Sequence, residues 1–186
     1  MAQDAPRAGK SPAPAISASE PDWSREVPRC WWDPGYRLLR AIRKYQAARG
    51  RLARRYWAIQ HRFWSVVTQS EIHLNQDIGG GLRLPHPTGI ILHPDAVLGP
   101  NCQLFHQVTL GLVEDREGVP VLGGHVDIGA GARILGPVRI GDHARVGANA
   151  VVLRDVPAGA TAVGVPARII PARTAPETAA AKAERA

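Results

Sequence analysis

Apolar residues recur every six positions over more than half of this 186-residue chain. A branched residue fills one position of each hexad, and a small or β-branched residue follows four positions later. The branched positions are Ile72, Ile78, Leu84, Leu92, Leu98, Leu104, Leu110, Leu122, Ile128, Ile134, Ile140, Val146 and Val152. The small positions are Ala96, Cys102, Val108, Val126, Ala132, Val138, Ala144, Ala150 and Val156. A period of six matches neither the 3.6-residue helix nor simple strand alternation.

The six-residue period predicts a coil of three short strands, one per hexad, joined by tight corners. In such a coil the branched residue fills the interior and the small residue lets the corner close. Residues 71–170 are therefore predicted to form a mainly β domain, a parallel β-helix of about five coils. Neighbouring coils would stack about 4.8 Å apart and exchange backbone hydrogen bonds.

The period breaks twice. Leu84 and Leu92 are separated by eight residues, and the extra length lies in PHPTG (85–89), which predicts an enlarged corner carrying His86. Between Leu110 and Leu122 the intervening hexad position is Arg116, so residues 112–121 cannot be a buried coil. We expect them to leave the prism as a loop, and loops on rigid scaffolds often carry function.

Residues 35–70 predict basic amphipathic helices. Apolar residues follow helical spacing, and Gly50 separates two helices or bends one. They are Leu38, Ile42, Tyr45, Leu52, Tyr56, Ile59, Phe63 and Val66. Nine basic residues and no acid lie between Asp33 and Glu71. We interpret the basic face as the solvated side of a helical cap that covers the open edges of the first coil. The alternative, which we favour less, is contact with an anionic surface such as lipid headgroups.

Composition limits the remaining choices. The net charge of +7 comes from residues 1–70, so the chain does not resemble a uniformly basic nucleic-acid binder. Two cysteines suit a reduced, cytoplasmic protein, and the sequence predicts no metal site. Neither a signal peptide nor a membrane span is recognisable. Residues 1–34 predict a disordered or irregular tail, and residues 171–186 a disordered tail.

The hexads contain further motifs. In order, the xHxTG corner is followed by VTLG, IGAGARILG and GVPAR. With these motifs, residues 71–170 resemble a serine acetyltransferase of the hexapeptide-repeat acyltransferase superfamily. The resemblance implies a left-handed β-helix. The part that precedes it is shorter than the family's usual helical domain, as in a truncated form.

The resemblance implies a general base and an orienting acid. His86 matches the base of the family's DHxTG motif, and an imidazole suits removal of a hydroxyl proton. Glu71, in EIHL, matches the family's Asp that orients the base, although Glu is longer by one methylene. A surface or helix-capping role for Glu71 remains equally open.

The chain departs from the family where the substrate is held. Pro85 replaces the Asp before the base, and Gly118 and Val119 replace an Arg-His pair. In the family, those groups help to hold the charged ends of the amino acid. Arg116 and His125 are the nearby candidates to replace them.

The resemblance also implies acetyl-CoA as co-substrate, bound between neighbouring prisms of a homotrimer. The matching positions are Gly111, Ala130 and Ala148. The function expected from the sequence is transfer of an acetyl group from acetyl-CoA to L-serine, giving O-acetylserine for cysteine biosynthesis. One alternative is an O-acetyltransferase for a sugar or exopolysaccharide unit, and a second is a non-catalytic scaffold.

Overall fold

The structure, a computed structural model, describes residues 16–114 and 116–172. A 3-10 turn spans Trp23–Arg25, and two helices follow, α1 (Pro34–Ala47) and α2 (Arg51–Thr68). Gly50 separates the helices with a φ of 95°, a value that favours glycine. The helical segment predicted over 35–70 is thus two helices. The expectations for residues 1–15 and 173–186 lie outside the described residues.

The rest of the described chain forms short strands in three sheets. In chain order they are β1 (Asp77–Ile78), β2 (Ile91–Leu92), β3 (Val97–Leu98), β4 (Gln103–Leu104), β5 (Thr109–Gly111), β6 (Val121–Leu122), β7 (Asp127–Ile128), β8 (Arg133–Leu135), β9 (Arg139–Ile140), β10 (Arg145–Val146), β11 (Val151–Val152), β12 (Thr161–Val163) and β13 (Arg168–Ile170). The first sheet has the order β1-β3-β6-β9, the second β4-β7-β10-β12-β13, and the third β2-β5-β8-β11.

All pairs are parallel except β12 with β13, which is antiparallel and ends the coil. The chain visits the first, second and third sheets in turn, which makes a triangular prism. We number the corners in the same order. Corner 1 joins the first sheet to the second, corner 2 the second to the third, and corner 3 the third to the first.

The prism interior consists of the residues that the hexad pattern selected. Every branched position from Ile72 to Val152 and every small position from Ala96 to Val156 is buried. Outward-facing residues alternate with them along each strand. The predicted mainly β fold, a parallel β-helix preceded by a short helical segment, is confirmed.

Side chains from both helices cover the open N-terminal edge of the first coil. Arg43 donates to the carbonyl oxygens of Ile78 and Gly79, over 2.6 and 2.7 Å. Gln46 donates to the carbonyl of Gln76 over 3.0 Å, and an imidazole nitrogen of His61 lies 2.8 Å from that of Ile72. These contacts satisfy carbonyl groups that have no preceding coil to bond, and so the edge is closed.

Residues 16–33 form an irregular segment, which we call the strap; it contacts corner 1 through residues 17–25 and reaches corner 2 through Arg29. The Asn101 side chain is fully buried beneath it and donates to the carbonyls of Ser17 and Glu20, both over 2.8 Å. Its Oδ1 accepts from the backbone N–H of Asp22 over 2.8 Å. Arg25 extends the contact by donating to the Gly81 carbonyl over 3.0 Å. The strap is thus irregular in conformation and hydrogen-bonded to the prism.

The loop predicted at the second break leaves the prism at corner 3, between β5 and β6. Within the loop, Val113 and Arg116 pair as an isolated antiparallel bridge. Nη1 of Arg116 donates to the carbonyl of Leu153 over 3.2 Å, which ties the loop to a later coil.

Among the described residues, no helix is long and apolar enough to cross a bilayer.

Candidate active site

His86 lies at corner 2 of the first coil, on backbone that is fastened on both sides. The carbonyl of Pro85 accepts a hydrogen bond from Nη2 of Arg29 over 2.6 Å. The carbonyl of Pro87 accepts one from Oγ of the buried Ser70. The N–H of Gly89 donates to the carbonyl of Thr68, at the end of α2, over 3.0 Å. The corner is therefore rigid, while the imidazole that it carries is exposed.

The His86 ring lies beside two other rings. Its centroid is 6.3 Å from that of Phe105 and 6.1 Å from that of His106, whose plane is inclined by 76°. Within the described part of the chain, no side chain or backbone group forms a hydrogen bond with the His86 imidazole. Both ring nitrogens are thus available, and a neutral imidazole can accept a proton from a bound hydroxyl.

Sequence reasoning did not single out His106. Backbone hydrogen bonds at corner 2 stack Thr88, His106, Ala130 and Ala148 in one column, one residue per coil. His106 thus occupies the coil next to His86 and the same column as two predicted cofactor-binding positions. Ala130 and Ala148 show that this column takes small residues. The imidazole at position 106 departs from that pattern, and this departure is the signal by which the sequence could have marked His106 as a site residue.

Glu71 stands at the start of the third sheet, bridged to Ile91. Its carboxylate is exposed and, among the described residues, has neither a hydrogen bond nor an ion pair. It lines an open groove of about 320 Å³ between α2 and the first coil, together with His61 and His73. His86 is not in that lining. The structure therefore does not join Glu71 to His86 by a hydrogen bond.

His125 lies at corner 1 in the left-handed backbone region, with a φ of 52°. Its Nδ1 is 2.9 Å from Nδ1 of His143, the equivalent residue of the next coil. Burial lowers the pKa of His125 below its usual range; the charge of His143 acts in the same direction, and that of Asp127 opposes it. The contact requires one ring to donate and the other to accept.

Arg116 lines a cleft of about 510 Å³ at corner 3. Arg154 and Arg168 line the same cleft, and no acidic residue that the structure describes does. Three guanidinium groups on one cleft make this the kind of surface that attracts anions.

Apart from Glu71, the polar residues predicted for the site lie at three different corners of the prism. His125 is at corner 1, His86 at corner 2 and Arg116 at corner 3. Since the corners of one prism point away from each other, these groups do not converge within one chain. A substrate that touches more than one of them needs a second prism alongside.

The predicted cofactor positions border the third sheet. Gly111 ends β5, at the corner 3 edge, and a Cβ built there would lie 3.3 Å from Cδ2 of Leu135. Ala130 and Ala148 lie at the corner 2 edge of the same sheet. The residues described contain no cluster of three or more His, Cys, Asp or Glu side chains suited to a metal ion.

Comparisons with known proteins identify relatives of this chain. Residues 120–154 match the family model described as bacterial transferase hexapeptide (six repeats). A serine acetyltransferase from Helicobacter pylori is 38% identical over 140 residues, which cover 73% of this chain and 82% of that protein. One from Synechococcus elongatus is 40% identical over 107 residues, or 56% of this chain and 44% of that one.

Solved structures give the same result. The crystal structure of a Brucella abortus serine acetyltransferase in complex with coenzyme A superposes with a TM-score of 0.66 at 33% identity. The match covers 76% of this chain and 57% of that chain. The chain thus spans most of a short relative and about half of the longer ones.

Proposed function

Because the chain belongs to the serine acetyltransferase family, we propose that it transfers an acetyl group from acetyl-CoA to the hydroxyl of L-serine. The product is O-acetylserine, a precursor for cysteine biosynthesis. The observation that carries this proposal is the exposed His86 imidazole on a rigid corner, with no hydrogen bond to a described residue. Acyl transfer to a hydroxyl needs one well-placed base, because the thioester is already activated.

In the proposed mechanism, the serine hydroxyl donates its proton to a free nitrogen of His86. As the proton leaves, the serine oxygen attacks the carbonyl carbon of the thioester. The C–S bond then breaks, and the departing thiolate of CoA takes the proton from the imidazolium. The proton thus returns to the leaving group, and His86 ends the cycle neutral.

The face of the third sheet supports the placement of acetyl-CoA. Gly111, Ala130 and Ala148 border this sheet and present no large side chain to a ligand lying along it. The cleft that carries Arg116, Arg154 and Arg168 adjoins the corner 3 edge of the same sheet. Guanidinium groups there suit the phosphates of CoA, which are the polyanionic end of the molecule.

The proposed active unit is a homotrimer. Its support is the separation of His86, His125 and Arg116 onto three corners, so that a neighbouring prism must bring an arginine to a serine carboxylate bound at His86. Glu71 would orient His86 only if its carboxylate came within hydrogen-bond distance of the imidazole, and no hydrogen bond joins the two residues in this structure. Since Cys30 and Cys102 are both free, as in a reducing compartment, we propose the cytoplasm for the reaction.

The test is an assay of thiol release from acetyl-CoA against L-serine and a panel of free and polymeric sugars. We expect saturable release with L-serine and little with D-serine or sugars. The His86→Ala variant serves as the control for enzymatic release. Release that depends on a sugar and ignores L-serine would contradict the serine assignment while leaving the acyltransferase chemistry in place.

One observation favours the second candidate function, acetylation of a sugar unit. Gly118 and Val119 replace the Arg-His pair of the family, so the cations that hold a serine carboxylate are missing at those two positions. A sugar hydroxyl needs no such partner. A scaffold without catalysis is the third candidate, and absence of release with every acceptor would favour it.

A further inference from the structure

One face of α2 exposes a continuous row of large apolar side chains. We call it the ridge, and its members alternate at intervals of four and three residues. They are Leu52 (81% exposed), Tyr56 (54%), Ile59 (67%), Phe63 (55%) and Val66 (68%). Such spacing puts all five on one stripe of the helix. Of the apolar residues with helical spacing in the sequence, Leu38 and Ile42 of α1 are buried, whereas these five of α2 are exposed.

The ridge is not the face through which α2 packs on its own prism, because the opposite face of the helix makes that contact. Trp64 and Thr68 are buried on that opposite face. His61, also on it, contacts the carbonyl of Ile72 in the first coil over 2.8 Å. The ridge therefore faces away from the molecule, and a row of this length exposed on a folded protein marks an interaction surface.

Arginines follow one edge of the ridge. At 100° per residue, Arg51, Arg55 and Arg62 lie next to the stripe on the same side. All three are exposed, and none forms an ion pair within the described part of the chain. No acidic residue occurs anywhere in α1 or α2. The ridge thus combines apolar area with a positive border that no described residue neutralises.

We propose that α2 lies on an anionic lipid surface, with the ridge in the boundary between headgroups and acyl chains. Amphipathic helices of this type place apolar and aromatic side chains below the headgroups and basic side chains among the phosphates. Arginine at the edge of the apolar stripe suits this depth, since its stem can pack on the acyl chains while the guanidinium reaches a phosphate. No spanning helix is required.

Charge argues against an antiparallel pair of α2 helices at the ridge. If two α2 helices paired antiparallel along their ridges, the arginine edge of one would face the arginine edge of the other. No carboxylate on either helix would separate these like charges. A surface of negative phosphates instead gains from every arginine of the border.

The experiment is co-sedimentation of the full chain with vesicles, without substrates, so the result is independent of the proposed reaction. Vesicles of phosphatidylglycerol mixed with phosphatidylcholine are compared with vesicles of phosphatidylcholine alone. We expect at least about tenfold stronger binding to the anionic vesicles, weakening as salt is added. Equal or absent binding to the two kinds of vesicle would overturn the proposal.

Two variants separate the contributions of charge and apolar area. Arg55→Glu with Arg62→Glu should abolish the preference for anionic vesicles. Its matched control, Arg139→Glu with Arg145→Glu, reverses two exposed arginines on the strands and should bind like the wild type. If both double variants lose binding equally, the prism and not α2 meets the lipid, and the proposal is wrong.

The second variant, Ile59→Ser with Phe63→Ser, removes apolar area from the ridge and should weaken vesicle binding at constant charge. Far-UV circular dichroism checks that it folds, and the wild-type comparison of the two lipids stands without it. Light scattering of wild type and variant, without lipid, completes the test. Suppose that the wild type does not bind vesicles and that the variant has a lower particle mass in solution than the wild type. The ridge would then contact a protein partner, and the lipid proposal would be overturned.

Discussion

Arg29 of the strap donates a hydrogen bond from Nη2 to the carbonyl oxygen of Pro85, the residue directly before His86, over 2.6 Å. Nε of the same guanidinium lies 3.3 Å from Oδ2 of Asp33, which is buried at the start of α1. Asp33 also accepts from the N–H of Tyr36 and so caps that helix. A segment that precedes both helices thus reaches the corner that carries the candidate base.

From this contact we predict that Arg29→Ala lowers kcat by about tenfold, because small displacements of a reacting group are costly in rate. The KM for acetyl-CoA should change little. Arg29→Lys should restore part of the rate, and the pH profile of kcat should keep its shape if only the position of His86 has changed. Arg25→Ala is the matched control, since Arg25 also fastens the strap but contacts corner 1. Equal kcat losses in the two alanine variants would contradict a positioning role for Arg29.

His86→Ala should lower kcat by at least about 10²-fold, the usual contribution of a well-placed base. The fold should remain, since the side chain projects from the surface and has no hydrogen bond to a described residue. His93→Ala, at corner 3 of the first coil, is the control and should retain activity. Steady-state kinetics with thermal unfolding checks both variants, and near wild-type turnover of His86→Ala would exclude the assignment.

Arg116→Ala should raise the KM for L-serine by about tenfold, the scale of a charged hydrogen bond to a carboxylate. Arg139→Ala removes another exposed arginine and should leave this KM unchanged. Because Arg116 also lines the cleft with Arg154 and Arg168, the KM for acetyl-CoA must be measured as well. A rise confined to acetyl-CoA would assign Arg116 to the phosphates instead of to serine.

Ala148→Leu tests the predicted path of acetyl-CoA at corner 2. Ala148 is exposed, so the larger side chain enters the groove without disturbing the core. We expect the KM for acetyl-CoA to rise by about tenfold while the KM for serine stays nearly constant. Ala158→Leu adds the same bulk at an exposed position of corner 1. Should both substitutions affect acetyl-CoA alike, the cofactor does not lie along the corner 2 edge.

The contact of His125 with His143 predicts a dependence of stability on pH. Burial lowers the pKa of folded His125 below the ordinary value of 6.5, so between these two values the unfolded chain binds a proton that the folded chain does not. The contribution of His125 to the free energy of unfolding should therefore be complete above about pH 6.5, and the free energy of unfolding should fall as the pH drops below that value.

Urea unfolding at about pH 5.5 and about pH 7.5 measures this dependence. His125→Asn keeps a residue that tolerates positive φ and should reduce the difference between the two pH values. Part of the difference should persist, because burial also lowers the pKa of His61. An unchanged difference in His125→Asn would mean that His125 does not titrate in this range.

The sequence by itself determined the prism. One branched residue per hexad predicted the buried interior from Ile72 to Val152, and each break in the period marked a real departure from the coil. Gly50 likewise separates α1 from α2, which is one of the two outcomes that the sequence left open there. These predictions were correct because burial in a repeat depends on the spacing of residues that are close together along the chain, and the sequence shows that spacing directly.

Only the tertiary structure decided where the remaining residues act. The strap has no periodicity, and its hydrogen bonds to Asn101 and Pro85 join residues far apart in sequence through backbone groups that every residue carries. The sequence also grouped Arg116 and His125 near one site. In a prism, however, residues that are close together along the chain lie at different corners. The ridge of α2 shows the same limit, since helical periodicity reveals an apolar face but not whether the fold covers it.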